Sequence, residues 1–190
     1  MKVRGFEFAR KRVDGEVVVE DGTEVQAFPE AKIPVYSSPK AAGADFFCAE
    51  EVVITSMWKK IAEMLFVEKK LRVAVNIVGD PKVMFPTKVH TGIKAYMQDD
   101  EVLELYNRSG NPFKLGLVLA NSVGVVDADY YNSEDSDGEI VFAFYNFFPW
   151  DAHLHVGDKI GQGVFKKFLR PDDAVVSDKE RVGGFGSTGK

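Results

Sequence analysis

Apolar and polar residues alternate over most of this chain. From Val89 to Met97 the odd positions are apolar or β-branched and the even ones more polar, which predicts one half-buried strand. Stretches 17–19, 115–120 and 123–126 read as short strands bounded by Gly, Asn, Asp or Glu. Stretch 139–148 is apolar on both parities, as in a strand covered on both faces. Turn signals at Asp14-Gly15, Asp21-Gly22, 121–124, Asp137-Gly138 and Gly157-Asp158 are spaced as in the hairpins of a sandwich or barrel. Only residues 55–72 switch to helical spacing, with Trp58, Ile61 and Leu65 on one row and Met57, Met64 and Leu71 on another. Thr55 or Ser56 is the candidate N-cap, and Lys69, Lys70 and Arg72 suit the other end of the dipole. The pattern predicts an all-β protein with one amphipathic helix packed on a barrel or sandwich.

Composition narrows the function classes. With 45% hydrophobic and 12% aromatic residues, the 190-residue chain builds a core, and disorder is excluded. The net charge of -5 supplies no basic face for duplex nucleic acid, although a metal ion and a few arginines can still handle a small polyanion. Cys48 is the single cysteine, so no internal disulfide forms. Charges interrupt the first residues, and the apolar run 140–150 is broken by Asn146 and Pro149, so neither a signal peptide nor a membrane span is expected. The expectation is a soluble protein of the cytoplasm, or of a host's cytoplasm if the chain is viral.

Three apparent motifs fail on their chemistry. The run 183–190 fits both G-x-G-x-x-G and G-x-x-x-x-G-K, but no helix follows to receive a phosphate. Its backbone N–H groups, the hydroxyls of Ser187 and Thr188 and the ring of Phe185 could still close around an anion. Stretch 133–140 imitates a calcium loop, but Ser133 and Phe144 occupy its first and twelfth ligand positions, which leaves an exposed acidic loop as the reading. His153-Leu-His155 lacks further ligands at a zinc-site interval.

Four other short stretches combine small residues with charge: Ala42-Gly43-Ala44-Asp45, Arg108-Ser109-Gly110, the presumed hairpin from Asn121 through Gly124 to Asp127 and Tyr130, and Gly157-Asp158-Lys159-Ile160-Gly161-Gln162. Followed by the run from Arg181 to Gly189, they resemble, in order and spacing, the five motifs of the trimeric dUTPase family. The likeness covers residue 33 onward, with insertions. It implies a distorted jelly-roll-like β-barrel in a homotrimer with shared active sites, hydrolysing dUTP to dUMP and pyrophosphate with Mg²⁺. It also implies a division into a barrel over 1–180, with an amino-terminal extension and the helical insertion, and a flexible arm over 181–190.

By the same resemblance, Asp127 activates the water that attacks the α-phosphorus, and Tyr130 packs on the deoxyribose. Asn121 and the backbone through Gly124 read uracil. Arg108, Ser109, Gly110 and Gln162 hold phosphates, and Asp45 reaches the metal through water. Arg181, Phe185, Gly186, Ser187 and Thr188 close over the nucleotide. The chain departs from the family at Asn111-Pro112, at Lys159 and Gly161, and in the acidic insertion 132–137. A dCTP deaminase or bifunctional enzyme is the first alternative, disfavoured by the run from Val125 to Tyr130. A nucleotide-switched regulator of a protein partner is the second, motivated by the insertions.

Overall fold

The computed structural model describes residues 3–65 and 84–175. In chain order these form β1 (Gly5–Phe8), β2 (Arg12–Val13), β3 (Glu16–Val17), β4 (Val19–Glu20), β5 (Thr23–Glu24), β6 (Val35–Tyr36), β7 (Ala44–Phe47) and β8 (Val52–Ile54). Helix α1 (Met57–Leu65), β9 (Thr87–His90), β10 (Ile93–Tyr96), β11 (Glu101–Asn107) and helix α2 (Gly110–Leu115) follow. The chain continues through β12 (Leu117–Leu119), β13 (Gly124–Asp127), a 3₁₀ turn (Ala128–Tyr130), β14 (Val141–Asn146), β15 (Ala152–Leu154) and β16 (Lys159–Lys167).

Two sheets dominate. One has five strands in the order β13-β11-β16-β7-β6, and the other three in the order β12-β14-β9. Period-two alternation turns Phe46, Leu103, Leu105 and Val126 of the first sheet into the core, all of them buried. Phe142 and Phe144 from β14 enter the same core, and the rings of Phe46 and Phe142 meet at 5.6 Å. The position of Phe142 accounts for Gly161. A Cβ built there would lie 2.0 Å from the Phe142 ring, so the large aromatic occupies the volume a methyl would need.

Besides the expected strand over 17–19, which is divided between β3 and β4 and pairs with β2 and β5 respectively, four expectations change. Residues 89–97 make two strands, because Gly92 turns at φ 64° and Thr91 Oγ1 donates to the Ile140 carbonyl at 2.6 Å. β9 then pairs with β14, whereas β10 pairs with β1. The presumed hairpin at 121–124 joins two sheets, since β12 pairs with β14 and β13 with β11. Its turn passes through Ser122 at φ 61°. Helix α1 begins as expected, with Ser56 Oγ accepting from Trp58 N at 3.2 Å, but Trp58 itself is 62% exposed and donates its indole N–H to the Phe147 carbonyl. Positions 66–72 of the predicted helix lie outside the described residues.

The fourth change concerns the acidic loop. Glu134 and Asp135 face solvent, but Asp137 is fully buried. Its Oδ2 accepts from Lys94 Nζ at 2.7 Å, its Oδ1 from Arg10 Nη2 at 2.6 Å, and Arg12 lies at 3.4 Å. Burial alone would raise this carboxyl, but Arg10 and Lys94 outweigh it and hold it at about 2. An acidic cluster in the sequence thus hides two buried carboxylates, Asp137 and Glu139, beside the solvated Glu134 and Asp135.

Asp137→Asn leaves Lys94, itself buried, without its counter-charge, and the expected loss is about 3 kcal/mol in urea unfolding at pH 7. The folded carboxyl lies below its ordinary value of 3.8, so the stabilisation is present above about pH 4 and disappears as pH falls toward about 2. Unfolding midpoints measured down that pH range should converge for the two proteins.

Candidate functional site

Strand β16 gathers the first, second and fourth motifs. It pairs with β7 so that Gln162 faces Asp45, and with β11 so that Gln162 faces Tyr106. Arg108 follows one residue after the end of β11. Helix α2 is locked onto β16 by Asn111, which is buried and donates Nδ2 to the Ile160 carbonyl and to Asn107 Oδ1, both at 2.8 Å. Asn111 therefore fixes the Arg108-Ser109-Gly110 turn in place.

At the centre is Asp45, 1% exposed. Its Oδ1 accepts from Gln162 Nε2 at 2.9 Å, and its Oδ2 from Lys159 Nζ at 2.8 Å and Ser37 Oγ at 3.0 Å. Arg108 Nε stands 3.6 Å away and Nη1 donates to the Lys159 carbonyl at 3.3 Å. Desolvation pushes the Asp45 carboxyl up, but the donors Lys159, Gln162 and Ser37 prevail and hold it below its ordinary range. One carboxylate and two partly exposed cations leave the cluster with one net positive charge beside hydrogen-bond donors, which is anion-binding chemistry. Lys159 and Ser37 were absent from the sequence-based site. The substitution at Lys159 was the available signal for one of them; Ser37 carried none.

The third motif lies elsewhere on the same face. Register places Asp45, Gln162, Tyr106, Glu104, Val125 and Asp127 all on the outward side of the five-stranded sheet. Asp127 is exposed and stands opposite Val102, whereas Arg108 is six positions further along that strand, about 20 Å at 3.3–3.4 Å per residue. Asn121 is exposed at the start of the sheet-joining turn, and Gly124 packs on Leu105. Tyr130 is only 8% exposed, and its hydroxyl is hydrogen-bonded to the Glu139 carbonyl and Ser136 Oγ, each at 2.9 Å. One chain thus brings Asp45, Arg108 and Gln162 together and keeps Asp127 apart from them. Arg181, Phe185, Gly186, Ser187 and Thr188 lie outside the described residues.

For a metal, the described residues contain no group of three or more His, Cys, Asp or Glu side chains placed to hold an ion. Asp45 faces Lys159 and Arg108, so it suits a cation only through water and only alongside a polyanion that draws those two side chains away. Mg²⁺ is commonly held in that way, by one or two carboxylates, waters and substrate phosphates.

No protein-family model matches the chain. The deoxyuridine 5'-triphosphate nucleotidohydrolase of Lactococcus lactis is 37% identical over 190 residues, covering 100% of this chain and 99% of that protein. The crystal structure of the Streptococcus mutans dUTPase is 31% identical, with a TM-score of 0.60 over 88% of this chain and 98% of the other. A mutant dUTPase of phage phi11 of S. aureus, described as revealing the coordination of a structural Mg(II) ion, is 18% identical with a TM-score of 0.53 over 82% and 96% of the two chains, a likeness of fold.

Replacing Asp45 by Asn removes the charge that draws Lys159 and Arg108 together. Both cations are partly exposed and can rehydrate, so the expected cost is about 1–3 kcal/mol in chemical denaturation.

Proposed function

The chain belongs to the dUTPase family, and from that premise we propose how its residues carry out the reaction. It hydrolyses dUTP to dUMP and pyrophosphate. The separation of Asp127 from the Asp45-Arg108-Gln162 cluster carries the rest of the reading. Neighbouring phosphorus atoms of a triphosphate are one bridging oxygen apart, so a group acting on the α-phosphorus and groups holding the β- and γ-phosphates must converge. Within one chain Asp127 stands opposite Val102, whereas Gln162 and Asp45 lie level with Tyr106, and Arg108 two positions beyond it, about 13–20 Å along the strand at 3.3–3.4 Å per residue. The proposal is a homotrimer in which each site takes Asp127 from one copy and the phosphate cluster from another.

In such a site Asp127 accepts a proton from the attacking water, whose oxygen bonds to the α-phosphorus as the bond to the bridging oxygen breaks. Arg108, Ser109, Gly110 and Gln162 hold phosphate oxygens, with Lys159 as a further cation. Mg²⁺, when bound with the nucleotide, supplies charge neutralisation on the phosphates, and Asp45 is the carboxylate that would hold it through water. Tyr130, fixed at its hydroxyl, is a rigid wall against which the sugar packs without space for a 2′-hydroxyl. Backbone groups from Asn121 to Gly124 pair with the uracil edge, where cytosine would leave a buried group unpaired at about 1–3 kcal/mol. Arg181, Phe185, Gly186, Ser187 and Thr188 are assigned to closure over the nucleotide. We place the enzyme in the cytoplasm, of a host cell if the chain is viral.

Asp127→Asn should lower turnover by about 10²–10⁴-fold while dUTP binding, read calorimetrically, stays near the unmodified value. Near-normal turnover would remove Asp127 from the role of base. Shared sites have a sharper signature. Asp127→Asn and Arg108→Ala proteins, each inactive, are unfolded together and refolded as mixed oligomers. Random mixing regenerates intact sites in about a quarter of positions. Recovery of pyrophosphate release near that fraction supports sites built between copies, and none at all places each site within one chain.

A further inference from the structure

We propose that the amino-terminal segment 7–12, outside all five motifs, is a positioning element that sets the sugar selectivity of the site by clamping the loop behind Tyr130. The proposal rests on the assignment of Tyr130 to the deoxyribose. Loop 131–139 folds back on that residue. Ser133 N donates to the Tyr130 carbonyl at 3.2 Å, and the Tyr130 hydroxyl ends on Ser136 Oγ and the Glu139 carbonyl. Whatever holds this loop therefore holds the ring.

The loop is held from outside by the amino-terminal segment. Tyr131 donates its hydroxyl to Glu7 Oε2 at 2.6 Å. Arg10 donates to Asn132 Oδ1 at 3.1 Å and binds the Asp137 carboxylate through its backbone N–H and its guanidinium. Lys94 joins the same two loop residues, Asn132 and Asp137, from the core side. The backbone supports the picture: Asn132 and Asp137 are non-glycine residues at φ 60° and 57°. Such conformations persist where surrounding contacts over-determine them, and here the contacts come chiefly from Arg10 and Lys94. Segment 7–12 is itself anchored, since β1 pairs with β10 and Ala9 N donates to the Gly92 carbonyl at 2.8 Å. A rigid wall excludes one hydroxyl only while it cannot recede, and Arg10 supplies that stiffness without touching the nucleotide.

The test is the ratio of kcat/KM for dUTP to that for UTP. Unfolded molecules lower both values equally, so loss of stability alone does not move the ratio. Arg10→Met should lower it by about tenfold, the direction expected when the Tyr130 ring can recede, and Arg10→Lys should bring it back toward the unmodified value. Tyr131→Phe, which removes only the hydroxyl on Glu7, should shift it the same way and carries the decision if Arg10→Met does not fold. A ratio unchanged in every folded variant of Arg10 and Tyr131 overturns the clamp. Failure of the unmodified protein to hydrolyse dUTP would instead overturn the reading of the site, and the clamp's role with it.

Discussion

Antiparallel register is the constraint on which the rest depends. β16 is paired along both edges, with β7 on one side and β11 on the other, and those pairings fix the places of Asp45, Gln162 and Tyr106 relative to one another. The same pairing carries β11 away toward β13, so that Asp127 faces Val102, far from Arg108. A twisted sheet can tilt and curl but cannot fold its two ends together without breaking ladder hydrogen bonds. Distance within the chain is therefore a fixed property of the fold, and association of copies is the economical route to convergence.

Two buried carboxylates organise what the register leaves open. Asp45 draws two cations and an amide to one end of the sheet, and Asp137 joins the amino-terminal segment and Lys94 to the loop behind Tyr130. Each gathers its donors because an ionised carboxylate taken out of water must recover its hydration from the protein. The outcomes differ with the partners. Around Asp45 the cations remain partly exposed and available to an anion. Lys94 beside Asp137 is sealed, which makes that cluster a fastener.

Departures from the family pattern are compensated locally. Gly161 meets the ring of Phe142, Asn111 makes two hydrogen bonds, to Asn107 and Ile160, and the acidic insertion is secured through Asp137. Neighbouring changes are therefore coupled, and a substitution at one position alone would test a pairing more than a residue.

The all-β class, the runs that became β9, β10, β12, β13 and β14, the start of the helix at Ser56 and the motif residues Asp45, Arg108 and Gln162 that meet were legible in the sequence, because each depends on period, turn chemistry or a short motif. Residues 89–97 were misread as one strand because period two does not record which partner a strand chooses, and the switch at Gly92 is fixed from outside the segment by Ile140 and Glu139, which accept from Thr91 Oγ1 and Gly92 N. The same limit hid the change of sheet between β12 and β13. Asp137 looked like its exposed neighbours because burial is decided by Arg10 and Lys94, more than forty residues away in sequence. The amino-acid order by itself determined which groups are available for chemistry. Only the tertiary structure decided which of them meet, because pairing and ion-pair partners are long-range contacts that no local pattern encodes.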